Sequence, residues 1–282
     1  MSKPQAPFPK APPRFRAPAG TIDCHIHILG PYARFPLQPD RSFSAPEGLI
    51  ADYRRLMAAL GIAHCVVVQP SLYGMDNACT ADAVEQLGAR GVAVFGPDID
   101  EAELKRLDRI GFRGVRFNLL FKGGVPLEAM ERLAKRLAPY GWHLQFLIDA
   151  RTLPDLAPRL RELPVDIVID HMGFMPVSVG LESPAVETLR RLLGEGRTWV
   201  KLSGAYMITD EGYPYADVAP LARALLREAP DRCVWGTNWP HPKPKDDMPD
   251  DAVLLDLVPS WTGDPALQTK LMRDNARRLY GF

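Results

Sequence analysis

The sequence predicts a single (β/α)8 barrel, and three observations favour this fold class. Short apolar, β-branched runs alternate with amphipathic helical patterns from Thr21 onward, which is typical of parallel strands joined by crossover helices. About eight such units fit into roughly 260 residues, which is the number of units and the chain length expected of a closed barrel. No GxGxxG motif follows the first strand, so an open doubly wound sheet is the weaker alternative.

The predicted strands are short and each is followed by a helical pattern. In chain order the strands are Thr21–Ile28, Ala63–Val68, Val92–Phe95, Gly114–Phe117, His143–Ile148, Asp166–Asp170, Trp199–Leu202 and Cys233–Trp235. The predicted helices are Gly48–Leu60, Asn77–Leu87, Glu101–Arg109, Leu127–Leu137, Leu156–Arg161, Pro184–Leu193, Val218–Glu228, Ala252–Leu257 and Pro265–Arg277. Leu267, Leu271, Ala276 and Leu279 predict an apolar stripe that packs against the barrel.

Composition and charge exclude several classes of function. The 282 residues carry 34 Lys and Arg against 34 Asp and Glu, so the chain lacks the positive field that nucleic acid or an anionic membrane surface requires. No run approaches the roughly 18 apolar residues of a membrane span, and we expect a soluble chain. Four scattered cysteines without a CxxC pair indicate reduced thiols.

The domain organisation is predicted to be simple. Residues 1–20 form a proline-rich arm that is flexible or lies on the surface, and residues 21–282 form the barrel. The arm has no apolar core of a secretory signal, so a cytoplasmic location is expected. The long loop Leu29–Pro46 either covers the pocket or makes a subunit contact, and the oligomeric state stays open.

Histidines mark the carboxyl ends of two predicted strands. His25 and His27 are two residues apart, so strand geometry points both imidazoles to the same side, toward the barrel axis. His171 follows the sixth strand. Because the reactive groups of such barrels lie where strands end, these three predict a functional cluster. His64 and His143 instead begin strands, and we interpret both as structural.

Other polar residues at this end are candidates for binding a small substrate. They are Ser71 and Tyr73 after the second strand, Arg116 and Lys122 in and after the fourth, Gln145 near the end of the fifth, and His241 after the eighth. No GxSxG motif is present, so a serine hydrolase is not predicted.

The segments that carry these residues resemble the amidohydrolase superfamily, in the branch that contains 2-pyrone-4,6-dicarboxylate lactonase. The matching motifs, in order from about residue 21 to residue 282, are DCHIHILGPYARFP, VVVQPSLYGMDN, GFRGVRFN, VIDHMG, VWGTNWPHP and DNARRLYGF. The resemblance implies a distorted (β/α)8 barrel that acts on a cyclic ester of an acidic sugar or an aromatic-degradation metabolite. It does not fix the substrate.

The resemblance also assigns four catalytic positions. His25 and His27 match the first-strand pair, and His171 matches the sixth-strand histidine. Asn238 departs from the pattern, because most of the superfamily has an aspartate there that serves as general base. A carboxamide has no titratable carboxylate, so another group must activate water. The candidates are His25, His27, His171 and His241.

No cofactor is expected. The metal-binding members of the superfamily add a fifth-strand histidine and the eighth-strand aspartate, and this sequence has neither at those places. If zinc is bound, His25, His27 and His171 are its ligands. The resembled branch is known as metal-independent, which implies that histidines and the Asn238 amide polarise the substrate carbonyl by hydrogen bonds.

The substrate is expected to be acidic. Arg116 matches an arginine with which the resembled lactonase holds a substrate carboxylate. Lys122 stands where that lactonase has a second arginine, and a lysine cannot make the bidentate hydrogen bonds of a guanidinium. Arg113 and Arg116 are three residues apart and so face opposite sides of the strand, and we favour Arg116 as the inward one. One substrate carboxylate, rather than two, is the expectation.

Three functions stay open at this point. The first is a metal-independent lactone hydrolase in which a histidine, helped by Asn238, activates water. The second is a lactone isomerase, in which a hydroxyl of the substrate attacks the carbonyl and needs less help from a protein base. The third is a homologue that binds acidic lactones but has lost its base.

Overall fold

The structure is a computed structural model that describes residues 6–242 and 248–282. In the described residues the strands form one parallel sheet in chain order, each hydrogen-bonded to the next, and the sheet curls into a nearly closed barrel. The strands are β1 Ile22–Ile26, β2 His64–Val68, β3 Arg90–Ala93, β4 Phe112–Asn118, β5 His143–Leu147, β6 Ile167–Ile169, β7 Thr198–Leu202 and β8 Cys233–Trp235. The predicted fold class is confirmed.

Helices connect successive strands and continue after the last one. They are α1 Ile50–Leu60, α2 Ala78–Leu87, α3 Glu101–Ile110, α4 Met130–Leu137, α5 Leu153–Arg161, α6 Pro184–Gly194, α7 Ala205–Ile208, α8 Ala219–Glu228, α9 Asp251–Asp256, α10 Val258–Thr262, α11 Pro265–Thr269 and α12 Asn275–Tyr280. Short 3₁₀ turns occupy Ser71–Tyr73, Leu127–Ala129, Ala138–Tyr140, Ala150–Thr152, His171–Gly173, Val177–Val179 and Ala216–Val218.

The last predicted helix differs from the structure. The pattern from Pro265 to Arg277 predicts one helix, but a π-helical turn over Lys270–Asp274 separates α11 from α12, and α12 runs on to Tyr280. Of the predicted stripe, Leu271 and Ala276 are fully buried. The wider π turn shifts the helical phase, so a strict 3.6-residue period does not describe the whole segment.

The gap between β8 and β1 is closed by the segment that follows β8. Asn238 N–H donates to the His25 carbonyl at 2.8 Å, and His27 N–H donates to the Trp239 carbonyl at 2.8 Å. Buried Asp23 on β1 joins the two sides, because its carboxylate accepts from Thr237 N–H at 3.0 Å and from Thr237 Oγ1 at 2.6 Å. This closure fixes His25, His27 and Asn238 next to one another.

The inside of the barrel has an apolar floor beneath a polar upper layer. Ile22, Cys24, Val66, Val68, Val92, Val168, Trp199, Val234, Ala276 and Tyr280 form the floor. His143 lies at this lower end with its ring centroid 5.3 Å from that of Tyr280. His64 is exposed at the start of β2. Because the floor is sealed, polar groups higher in the barrel are reached only from the carboxyl ends of the strands.

The described part of the proline-rich arm, residues 6–20, lies against the barrel surface. Trp239 Nε1 donates to the Pro7 carbonyl at 3.0 Å, and the Lys10 N–H donates to Asp250 at 3.0 Å. Phe15 N–H donates to Asp256 at 2.7 Å. The arm therefore braces α9 and the segment after β8; residues 1–5 lie outside the described residues.

The four cysteines are buried free thiols, as the scattered spacing predicts. None of the helices in the described ranges combines the length and the hydropathy needed to cross a membrane.

Candidate active site

A cavity of about 250 Å³ opens at the carboxyl ends of the strands. Its polar wall consists of His27, Ser71, Arg116, Asn118, His171, Tyr206 and Asn238. Its apolar wall consists of Phe43, Pro70, Phe121, Leu147, Phe174, Met207 and Pro242. A mainly apolar hollow with a few converging polar groups is typical of a site for a small organic molecule.

His25 and His27 form a buried, contacting pair. Their Nε2 atoms are 3.3 Å apart, with His27 at the cavity and His25 beneath it. His27 Nδ1 is 2.7 Å from the Val68 carbonyl, which only accepts, so Nδ1 carries the hydrogen and Nε2 presents a lone pair. Burial, with the charge of Arg116, lowers the pKa of His27 to about 3. The imidazole is therefore neutral at neutral pH.

Asp170 is the centre of a buried ionic cluster below the cavity. Arg116 donates to Asp170 Oδ2 from Nε at 3.0 Å, and Gln145 Nε2 donates to the same oxygen at 3.1 Å. His25 Nδ1 lies 3.2 Å from Asp170 Oδ1. Burial acts to raise the pKa of Asp170, but His25, Arg116 and Lys201 outweigh it and hold that pKa well below its usual range.

Lys201 of β7 is the second cation of this cluster and is fully buried. Its Nζ donates to Gln145 Oε1 at 2.8 Å and to the Cys24 carbonyl at 2.9 Å, and lies 3.3 Å from His25 Nδ1. Burial lowers the pKa of Lys201 to about 8. Two cations thus surround the one carboxylate of Asp170, and the buried carboxylate of Asp23 also acts on Lys201.

His171 follows β6 and lines the cavity. Its Nδ1 is 2.8 Å from Ser203 Oγ, which leaves Nε2 for the cavity, and its ring centroid is 4.6 Å from that of His25. The backbone φ of His171 is 53°, a left-handed conformation that a histidine adopts only when its surroundings impose it. Burial lowers its pKa to about 3.

Asn238 also has a left-handed backbone, with φ of 66°. Its Nδ2 donates to the Tyr206 hydroxyl oxygen at 2.7 Å. His241 Nδ1 lies 3.0 Å from the same hydroxyl, and His241 Nε2 lies 3.2 Å from Asp251 Oδ1. Tyr206, His241 and Asp251 are all buried, and among the described residues neither His241 Nε2 nor the Asp251 carboxylate has a hydrogen-bond partner.

The structure brings together most of the predicted site residues. His27, His171, Asn238, Arg116 and Ser71 line one cavity, with His25 directly below. Arg116 points into the barrel, whereas Arg113 is held on the outside by Asp108.

Four predicted binding residues lie away from the cavity wall. Gln145 lies deeper, between Asp170 and Lys201, and His241 lies behind Tyr206. Tyr73 accepts from Gly30 N–H at 2.7 Å outside the cavity. Lys122 is exposed and paired with Asp40 at 2.9 Å. The loops that follow the strands turn outward at Tyr73 and Lys122, which strand alternation does not reveal.

Sequence reasoning missed four functional candidates: Asp170, Lys201, Tyr206 and Asp251. For Lys201 a signal exists, since a lysine in the run Thr198–Leu202 breaks an otherwise apolar strand. Asp251 has no signal, because its approach to His241 depends on the course of the chain after β8.

The spacing of the histidines alone does not decide whether they hold a metal. Two nitrogen ligands on a tetrahedral zinc lie roughly 3.3 Å apart, which also suits the His25–His27 pair. His25, Asp170 and His171 likewise offer ligand atoms within 4.8 Å of one another. However, Asp170 is already engaged by Arg116 and Lys201. A dication would have to displace one of these two cations from the carboxylate, so the donor set fits it poorly.

Comparison with known proteins supports a relationship along nearly the whole chain. Residues 22–282 match the family described as Amidohydrolase. A 2-pyrone-4,6-dicarboxylate hydrolase from Comamonas testosteroni is 38% identical over 95% of this chain and 92% of its own length. A D-galactarolactone isomerase from Agrobacterium fabrum is 31% identical, covering 93% and 91% respectively. A solved apo structure from Agrobacterium tumefaciens has a TM-score of 0.88 and 30% identity, covering 96% and 98%.

Proposed function

The chain belongs to the amidohydrolase family, and from this premise we propose that it opens a cyclic ester of an acidic metabolite by hydrolysis, without a metal. The observation that carries the proposal is the convergence of His27, His171, Arg116 and Asn238 on one cavity. The hydrolase relative from Comamonas testosteroni acts, by its name, on a carboxylated cyclic ester.

The charge of the site supports an anionic substrate. Arg116 is the cationic residue of the cavity wall among the described residues, and Lys201 adds a second charge below it. Asp170 offsets one of the two. The guanidinium of Arg116 at the wall favours a substrate with one carboxylate, and Phe43 and Phe174 line the part of the cavity that would receive the ring.

Polarisation of the carbonyl falls to hydrogen-bond donors. His171 Nε2 and Ser71 Oγ reach the cavity, and a donor aimed at the developing oxyanion contributes about 3 kcal/mol to lowering the barrier. Water adds to the carbonyl carbon, the ring carbon–oxygen bond breaks, and the ring oxygen leaves as a hydroxyl. The low pKa values of His27 and His171 make these imidazoles suited to orienting water rather than to keeping its proton.

Lactone isomerisation is the second candidate. It is favoured by the amide at Asn238, because attack by a hydroxyl of the substrate itself needs less general-base assistance. The relative from Agrobacterium fabrum is named a lactone isomerase. The same cavity serves both reactions, which differ only in whether water or the substrate supplies the attacking oxygen.

A screen of carboxylated lactones tests these candidates. The purified protein is incubated with five- and six-membered lactones of aldaric, muconic and pyrone acids, and the products are followed by NMR and by proton release. Hydrolysis gives an open-chain acid and one released proton, whereas isomerisation gives a new ring size without proton release. Saturable binding without turnover across the panel would contradict both and favour a homologue that only binds lactones.

Metal content is tested separately. Protein purified without added metal is analysed by elemental analysis, before and after dialysis against a chelator. We expect far less than one zinc per chain and full activity after dialysis, because Arg116 and Lys201 already pair with the carboxylate of Asp170. Stoichiometric zinc, or activity that zinc restores, would overturn the metal-free proposal.

A further inference from the structure

We propose that Asn118 is a specificity-determining residue of this site: its Nδ2 donates a hydrogen bond to the substrate carboxylate, beside Arg116. The inference rests on the proposed lactone chemistry and deepens it. It adds a second donor for the acid group, and it predicts that the cavity distinguishes a free acid from its ester.

The orientation of the Asn118 amide follows from its partners. Its Oδ1 accepts from the backbone N–H of Leu120 at 3.3 Å and from that of Phe121 at 3.0 Å. Because backbone N–H groups only donate, the atom that faces them is the oxygen, and Nδ2 points away from them. Nδ2 makes no hydrogen bond to any of the residues that the structure describes, and Asn118 lines the cavity. Its hydrogens are therefore available to a bound molecule.

The position of Asn118 on β4 places this donor next to Arg116. One residue separates the two along the strand, so their side chains leave it on the same face, about 7 Å apart at their origins. In the pairing with β5, Arg116 lies opposite Gln145 and Asn118 lies opposite Leu147, one layer nearer the carboxyl end. Both Arg116 and Asn118 line the cavity. A carboxylate that enters from the open end therefore meets Asn118 first and the Arg116 guanidinium below it.

Arg116 alone does not satisfy a bound carboxylate. Its Nε and Nη2 both lie 3.0 Å from Asp170 Oδ2, and its Nη1 donates to the Gln69 carbonyl at 3.4 Å. These contacts leave two of the five guanidinium hydrogens for a ligand, whereas a carboxylate accepts about four hydrogen bonds. Arg116 is buried, so an anion at this place needs further donors from the protein. The amide of Asn118 supplies one.

Other polar groups of the wall are less selective for an acid. The Ser71 hydroxyl both donates and accepts, so it suits an acid, an ester or an alcohol. In the proposed reaction His171 polarises the lactone carbonyl. Asn118 differs from both, because its oxygen is occupied and only its hydrogens face the cavity. A hydrogen bond from such a donor is stronger to a charged carboxylate than to an ester.

Asn118 also shapes the apolar part of the wall. Through Oδ1 it holds the turn that carries Phe121, whose ring centroid is 5.3 Å from that of Phe43. Removing the side chain thus has two effects. It releases the turn, which acts on every substrate, and it deletes the donor, which acts on the acid. The ratio of KM for the acid to KM for its methyl ester isolates the second effect, because the first one cancels in the ratio.

Kinetics with the lactone that the screen identifies test the inference, with the substrate as the free acid and as the methyl ester of its carboxylate. In Asn118→Ala the ratio of KM for the acid to KM for the ester should rise about 10- to 100-fold, the range for a hydrogen bond to a charged group. In Asn118→Asp both backbone contacts are kept, but an anion replaces the donor. The ratio should therefore rise further than in Asn118→Ala.

Gln86→Glu is the matched control for Asn118→Asp, because it makes the same change of amide to carboxylate elsewhere. The Gln86 side chain is exposed on α2, where it donates to Asp82 at 2.7 Å. This variant should leave the ratio of the two KM values unchanged. An unchanged ratio in Asn118→Ala, or equal increases in KM for the acid and the ester in Asn118→Asp, would overturn the inference.

A binding measurement on the unaltered chain decides the inference even if no tested lactone is turned over. The protein is labelled with ¹⁵N and ¹³C, and the side-chain amide signals of Asn118 are assigned by NMR through its own backbone. Tetrahydrofuran-2-carboxylate is the probe, because it is a ring acid without a lactone carbonyl. It should shift the Asn118 amide signals saturably, whereas its methyl ester should not.

Asn77 is the internal control, because its Nδ2 donates to the Val94 carbonyl and its signals should stay in place. No response of the Asn118 amide to the acid, or an equal response to the ester, would refute the inference. A saturable response of Asn118 together with no turnover across the panel would instead count against the lactone function alone.

Discussion

Arg116 illustrates how one side chain connects substrate binding with the buried charges below it. It lines the cavity and also donates to Asp170. Arg116→Gln keeps a donor but removes the charge, so KM for a carboxylated lactone should rise about 10- to 100-fold, while KM for its methyl ester should change little. Steady-state kinetics with both substrates measures this.

The matched control is Arg132→Gln, because Arg132 is an exposed arginine paired with Asp98. It should leave KM for both substrates unchanged. Equal increases in KM for the acid and for the ester in Arg116→Gln would show that Arg116 only supports the fold.

Asp23 is a second residue whose effect is predicted from its contacts. Its carboxylate accepts two backbone N–H groups, from His25 and Thr237, as well as the Thr237 hydroxyl. Asp23→Asn replaces an acceptor by an amide that faces donors, so the free energy of unfolding should fall by about 2–3 kcal/mol. Urea denaturation of both proteins measures the change; an unchanged midpoint would contradict this account of the β1–β8 closure.

At the residue scale, strand ends were the informative part of the sequence. His25, His27 and Arg116 were placed correctly relative to the barrel axis because a strand alternates its side chains regularly. Tyr73 and Lys122 were not, because they lie beyond the strand ends, where the loop direction and not the alternation sets their position.

At the scale of elements, the arm has the most direct connection to the site. Through Lys10 and Phe15 it contacts Asp250 and Asp256 at the two ends of α9, and α9 begins with Asp251. Removing residues 1–16 deletes four hydrogen bonds of the described residues, two of them half-buried, so the free energy of unfolding should fall by about 3 kcal/mol.

Chemical denaturation of the truncated chain measures the change. Lys10→Ala serves as the control, because its contact with Asp250 is made by the backbone and the change should be small. Unaltered stability of the truncated chain would mean that the arm is only loosely attached.

Element boundaries show where sequence patterns fail. The extents of β5 and β8 follow directly from apolar runs. In contrast, β4 begins earlier than predicted, at Phe112. The reason is that Gly111 ends α3 in a left-handed turn and the strand follows immediately. The π turn before α12 depends on packing against the barrel floor, which no local pattern encodes.

For the whole molecule, buried neutral histidines predict sensitivity to acid. Burial lowers the pKa values of His27, His143 and His171 to about 3. In the unfolded chain these histidines have their ordinary pKa of about 6.5. The folded state therefore keeps its full stability above that pH and loses stability as the pH falls toward 3. At pH 5 the loss is about 2 kcal/mol for each imidazole.

Asp23 acts in the opposite direction. Burial raises its pKa to about 6, so at pH 5 this carboxyl binds a proton more readily in the folded state than in the unfolded chain. Its protonation favours the folded state by about 1 kcal/mol. His25, whose pKa burial also lowers, adds to the loss, so the net loss between pH 7 and pH 5 should be at least roughly 5 kcal/mol. Urea denaturation at the two pH values measures it. In His143→Gln the loss should shrink by about 2 kcal/mol, and an unchanged pH dependence would show that His143 is protonated in the folded state.

The separation of the cavity wall into a polar and an apolar part has a consequence for the evolution of such an enzyme. Its reactive groups lie at or just after strand ends, whereas Phe43, Phe121 and Phe174 project from connecting segments and Met207 from the short helix α7. Mutational drift confined to those four positions would reshape which ring is accepted while sparing the chemistry, so new specificities should arise there without passing through inactive intermediates.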